Sequence, residues 1–174
     1  MSNSSPLSPN SSSEEIRWPA AVLSVNAWRG QLLQAFASAE AAASEALLKL
    51  ADVPGCGDIR LRLLIGQRFQ DLADALAANA SFGTEGLAAA SCLTAFRRHE
   101  PLRTVLGHGA FRIALDRRDR WIVVAKVITI RGRGAERATH VFEQEDAEAM
   151  SAEVKALSQK LCSSLAVLTR RHCG

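Results

Sequence analysis

The chain has 174 residues, of which 48% are apolar and 22% charged. That length suits one domain with a full core and an added tail, and no apolar run approaches the roughly 18 residues of a membrane span. Net charge is only +3, but it is unevenly spread: the segment from Arg97 to Arg137 carries +7 and the remainder −4. A basic block dominated by arginine within an otherwise acidic chain points to an anionic partner such as phosphate, or equally to a solvated face on a strand pair.

The start, MSNSSPLSPNSSSEE, has neither a basic n-region nor an apolar h-region, so no secretory signal is expected. Cys56, Cys92, Cys162 and Cys173 lack C-x-x-C spacing and have no histidine at finger-like distance. They read as reduced thiols of a cytoplasmic protein, without a zinc site.

Residues 1–14 are rich in Ser, Asn and Pro and are expected to form a disordered tail. Residues 15–174 then form a single helical domain. A first helix starts near Ala27, with Leu32, Leu33, Phe36, Ala39, Ala43, Leu47 and Leu50 at steps of three and four. It stops at Pro54-Gly55-Cys56-Gly57. Asp58 suits the N-cap of a second helix that buries Leu61, Leu64, Ile65, Phe69, Leu72 and Leu76. Ser81-Phe82-Gly83 breaks the period, and Thr84 suits the cap of a third helix carrying Leu87, Ala90, Leu93 and Phe96.

Pro101 sits in the first turn of a short fourth helix. Leu102, Val105 and Leu106 form its buried side, and Gly109 is placed to close it in the left-handed conformation. The period then changes from helix to strand. FRIAL (111–115) and WIVVAKVITI (121–130) flank the polar turn DRRD (116–119), giving a β-hairpin at about 110–130. RGRG (131–134) is a flexible exit. A long last helix follows, with Ala147, Met150, Val154, Leu157, Leu161, Leu165 and Leu168 in its stripe. The expected fold is therefore mainly α: an antiparallel helical bundle with one β-hairpin inserted before a long C-terminal helix. Two strands do not stand alone, so the hairpin lies on the helices or pairs with a second subunit.

Arginine followed by histidine after five to seven residues occurs twice, at Arg103–His108 and Arg133–His140. Composition alone yields about one such match by chance, so spacing does not separate them. Context does: Arg133 lies in a glycine-rich loop, a poor place to hold a reactive geometry, whereas Arg103 lies on a helix packed into the bundle. The stretch LRTVLGHGAF…DRRDRWIVVAKV resembles the LRN-x-L-A-H-G end of HEPN domains (higher eukaryotes and prokaryotes nucleotide-binding domains), and RLLIGQRFQDLADAL resembles an upstream helix of that family. The likeness extends over residues 27–130, but its specific part is about eight residues long. It implies a helical bundle acting as a metal-independent ribonuclease of toxin or anti-phage systems, with a homodimer forming one composite cleft. Thr104 stands where the family has Asn, and Gly107 where it has Ala.

The chemistry suits the residue types. Histidine titrates near neutrality and serves as acid or base. Arginine offers fixed charge and forked donors to phosphate oxygens. No metal or other cofactor is required. Thr104 is a possible supporting group, and Arg97, Arg98, Arg112, Arg117, Arg118 and Arg120 are candidate RNA contacts. Five residues of helix set Arg103 and His108 about 140° apart, so unwinding at Gly107 or a second subunit is needed to bring such groups together. The plain alternative is a histidine favoured at a helix C-terminus and an Arg103 paired with Glu100 or with an acid on a neighbouring helix.

Weaker candidates are His99 as a phosphate contact, Trp121 as a base-stacking residue, and Glu40 and Glu45 as acids reaching the cleft. Each reads more simply as a solvated or packed residue, and His172 and Cys173 read as terminal residues without a role. Two other functions fit the same pattern: a non-catalytic dimeric interaction module docking an acidic partner or nucleic acid, and the regulatory half of a two-protein system. The expected partners are a second copy, RNA and a partner protein, with no membrane.

Overall fold

The computed structural model of the chain describes residues 11–56, 59, 62–132 and 134–173, with backbone alone at 11–16 and 131. Helix α1 spans Ser11–Leu50 and α2 spans Ile65–Ala78. A short 3₁₀ turn at Ala80–Phe82 leads into α3, Gly83–Arg97, and α4 covers Glu100–His108. Strands β1 (Ala110–Leu115), β2 (Trp121–Arg131) and β3 (Gly134–Glu143) form an antiparallel meander with β2 in the centre. Helix α5, Gln144–His172, closes the chain. The expected mainly-α class with a hairpin before a long C-terminal helix is the observed one.

Helix α1 begins earlier than its leucines indicate. Ala21, Val25 and Trp28 carry the buried stripe back toward the N-terminus, and residues 11–14, assigned by composition to a tail, are helical. What this segment covers is the sheet: Trp28 and Trp121 lie 5.6 Å apart at their ring centres, and the Trp121 indole donates to Ser24 Oγ at 3.0 Å. The rest of α1 packs along α5, where Ser158 donates to the Ala35 carbonyl at 2.8 Å. Leu32, Phe36, Leu47, Leu161, Leu165 and Leu168 are buried between and around them.

Other differences concern element ends. Asp58, Leu61 and Arg133 lie outside the described residues. Helix α2 starts at Ile65, with Leu64 extended ahead of it and exposed, so the stripe that suggested an earlier start is interrupted. Helix α3 starts at Gly83 without a side-chain cap, and Thr84 lies inside it. Its core face is Ala89, Leu93 and Phe96, which leaves Leu87 exposed. The exit expected after β2 is instead a turn at Gly132 (φ +59°) into a third strand. That strand pairs along its whole length with β2, from Ile122↔Glu143 to Arg131↔Gly134.

Helix α4 does not end on a left-handed glycine. Gly109 has φ −71° and ψ 139° and turns the chain directly into β1. It is needed for another reason: a Cβ there would lie 2.4 Å from the Val105 carbonyl oxygen and 2.9 Å from the Phe111 ring. Gly107 differs, since a Cβ there meets nothing within 4 Å and its conformation is helical. Gly109→Ala should destabilise the fold by about 1–3 kcal/mol through forced displacement of α4 from β1. Gly107→Ala should stabilise it by up to about 1 kcal/mol, the helix-propensity difference. Chemical denaturation of the two variants beside the parent chain measures both signs.

Candidate functional site

Helix α4 is amphipathic over nine residues. Val105 and Leu106 are buried and Leu102 is half-buried. At about 100° per residue, Glu100, Arg103, Thr104, Gly107 and His108 then share the arc that faces away from the core. Arg103 and His108 mark its two edges, about 140° apart. The helix is regular through His108, so no unwinding at Gly107 closes that angle. Between the two edges lie exposed Thr104 and bare Gly107.

Arg103 is held from α1. Its Nε donates to Glu40 Oε1 at 2.6 Å and its Nη2 to Glu40 Oε2 at 3.4 Å. The glutamate side chain is 19% exposed and the arginine 38%, so the pair is only partly shielded from water. The acid on a neighbouring helix that the sequence left open is thus Glu40. Its identity was hidden by a separation of 63 residues. Glu45 instead faces solvent and pairs with Lys49 at 3.2 Å.

A polar seam continues from this pair. Arg97 donates to Glu100 at 2.8 Å and to Gln70 at 3.0 Å, joining α2, α3 and the start of α4. Arg68 donates to Ser44 at 2.6 Å. At the other end of α4, Arg29 donates from Nε to the Leu106 carbonyl at 2.8 Å, and its guanidinium lies 4.7 Å from the centre of the Phe111 ring. This caps one of the carbonyls that a helix end leaves without a partner. Arg29 had no signal in the sequence, because it interrupts no pattern and its partner is a backbone atom.

His108 is exposed, and among the described residues nothing hydrogen-bonds to its ring. His99, at the N-cap of α4, is half-buried with Nε2 3.5 Å from Glu153. Trp121 is 2% exposed, which leaves no face for a base. His172 packs against Phe82, ring centres 5.0 Å apart.

The basic block divides into two groups. Arg97 is engaged as above, and Arg120 bridges Asp116 at 2.8 Å and Glu145 at 2.6 Å. Asp116 also accepts backbone N–H groups of Arg120 and Arg118, at 2.9 and 2.7 Å. These donors, that of Arg120 foremost, hold its carboxyl below the usual aspartate range. Arg98, Arg112, Arg117 and Arg118 are exposed, and among the described residues their guanidiniums have no acidic partner. They occupy the α3–α4 junction, the outer face of β1 and the β1–β2 turn, so they do not converge on one point of a single chain.

Among the described residues no helix is long and apolar enough to cross a membrane, and no three His, Cys, Asp or Glu side chains are grouped as metal ligands. No family model, curated protein or solved structure matches the chain.

Two groups at the C-terminal end of α4 should respond differently to mutation. Arg29→Ala removes a charged hydrogen bond to a helix carbonyl and should cost about 1.5–3 kcal/mol. His108→Ala removes an exposed side chain that has no hydrogen-bond partner among the described residues, and should stay within about 0.5 kcal/mol of the parent. Thermal and urea unfolding of both variants test the contrast.

Proposed function

We propose that the chain is a HEPN-like, metal-independent ribonuclease or RNA-binding effector of a toxin or anti-phage system, working in the cytoplasm as a homodimer. The observation that carries this reading is the solvent face of α4. A half-buried carboxylate from α1 orients the Arg103 guanidinium at one edge, and an exposed imidazole with no hydrogen-bond partner among the described residues stands at the other. Each helix then offers a fixed cation and a free acid–base group, separated by an angle that one helix does not close. A second copy related by a two-fold axis brings a complementary pair to the same cleft.

The reaction that fits is attack of an RNA 2′-hydroxyl on the adjacent phosphorus. One His108 takes the hydroxyl proton as the new P–O bond forms. His108 of the second copy gives a proton to the departing 5′-oxygen as the old bond breaks. Arg103 donates to the phosphorane oxygens, whose charge grows in the transition state. Glu40 keeps that guanidinium aimed, and Thr104, one turn before His108, donates to the same phosphate in this reading. The products carry 2′,3′-cyclic phosphate and 5′-hydroxyl ends.

A second reading, a non-catalytic interaction module, is favoured by one feature that the ribonuclease leaves unused: Ile128, Ile130 and Val141 are 62%, 78% and 61% exposed.

Cleavage of RNA in EDTA, with analysis of the product ends, tests the first reading. His108→Ala should lose about 10²–10⁴-fold in rate, and Arg103→Ala about 10²–10³-fold through the phosphorane charge, both with the fold retained. Glu40→Gln, which keeps the shape but not the charge of the anchor, should lose less than Arg103→Ala. A His108→Ala protein that cleaves as fast as the parent rejects the assignment. A parent chain that cleaves no RNA but sediments as a dimer favours the interaction module.

A further inference from the structure

In an antiparallel sheet with one face on the core, outward positions are ordinarily polar. The meander breaks this rule. Its inward side chains, Phe111, Ile113, Trp121, Val123, Ala125 and Phe142, pack against the core. Along β2 the outward positions read Ile122, Val124, Lys126, Ile128 and Ile130, four aliphatic residues around one lysine. Opposite Val124 on β3 lies Val141, also outward.

The cations on this face are ordered. Arg112 on β1 pairs with Val124, and Arg137 on β3 pairs with Ile128. With Lys126 between those two rows, Arg112, Lys126 and Arg137 form a diagonal across the three strands, neighbours about 8 Å apart from strand and residue spacings. All three are exposed, and among the described residues none has an acidic partner. Aliphatic side chains flank the diagonal on both sides: Ile122, Val124 and Val141 toward one end, Ile128 and Ile130 toward the other. Among the described strand residues the one outward acid is Glu143, at the rim.

We propose that this outer face docks an acidic amphipathic helix of a partner protein. The inner face of the sheet is already covered by α1 and α5, so a helix laid on the outer face completes a three-layer packing. The apolar stripe of that helix covers the isoleucines and valines, and its carboxylates meet the diagonal. A second copy offering the same face would set three cations against three cations, which disfavours self-stacking. RNA suits the charge but not the surface: single strands stack on aromatic rings, and among the described residues no aromatic side chain lies on this face. The inference stands independently of whether α4 cleaves RNA.

The test uses the full chain and three fluorescent amphipathic helical peptides of one design, with the same leucine stripe and polar faces of Glu, Lys or Gln. Anisotropy titration should give micromolar binding of the Glu peptide and at least about tenfold weaker binding of the other two. Ile128→Thr with Ile130→Thr, which keeps β-branched side chains on the strand, should weaken the Glu peptide by about tenfold or more. Lys126→Glu with Arg137→Glu should transfer the preference to the Lys peptide. Circular dichroism of each variant confirms that the fold is kept, as the exposure of all four side chains requires. Equal binding of the three peptides, no binding of the Glu peptide, or an unchanged preference after charge reversal overturns the proposal. So does self-association of the parent chain abolished by Ile128→Thr with Ile130→Thr, which assigns the face to a second copy. Labelled RNA that binds through Lys126 and Arg137 while the Glu peptide does not bind assigns the face to nucleic acid instead.

Discussion

Trp28 joins all three strands of the sheet and the last helix to α1. Its ring lies 6.5 Å from Phe111 on β1, 5.6 Å from Trp121 on β2 and 5.3 Å from Phe142 on β3. Its indole N–H donates to the Ala147 carbonyl in the first turn of α5 at 2.8 Å. One residue of α1 therefore sets the sheet and the start of the last helix relative to the bundle. Such aromatic contacts combine large apolar burial with directional geometry, and the buried N–H would be costly without its acceptor. A small meander that does not persist alone becomes part of the core at this point.

The position of α4 follows from that junction. Only Gly109 separates α4 from β1, so once Trp28 holds the strands, the helix has almost no freedom at its C-terminal end. Nine residues are too few for a helix to persist on its own propensity. Burial of Val105 and Leu106, the Arg29 cap and the Arg103–Glu40 pair supply what propensity does not. Arg103 and His108 thus sit on an element whose geometry is imposed from outside. Precise placement of reactive groups requires this kind of support.

Arg103 and His108 carry different burdens. Arg103 is already bound to a carboxylate, and any phosphate must share or replace that contact. The exchange is feasible because the pair is partly open to water, where ion pairs are weak. Among the described residues His108 has no hydrogen-bond partner to give up. The proposed roles, charge stabilisation by Arg103 and proton transfer by His108, differ in the same way: the first benefits from a fixed direction, the second from freedom to approach and leave a substrate.

The apolar spacing of the sequence determined the four bundle-forming helices, the β1–β2 turn at Asp116–Asp119 and the side of α4 that faces inward, because burial imposes its period on any segment with one covered face. It left β3 hidden. Gly134–Glu143 buries only Phe142, so this edge strand has no alternation to read, and backbone pairing with β2 alone makes it a strand. The first half of α1 was hidden for a related reason, since its partners Trp121, Asp119 and Phe142 come from a sheet about 100 residues away in the chain. The Arg-x4-His spacing was legible, but its anchor was not. Glu40 resembles any solvated helical glutamate until the fold sets it against Arg103. The sequence likewise contains Ile128, Ile130 and the three cations of the outer face without indicating their arrangement. Only strand register, a property of paired chains rather than of either alone, places them on one uncovered surface.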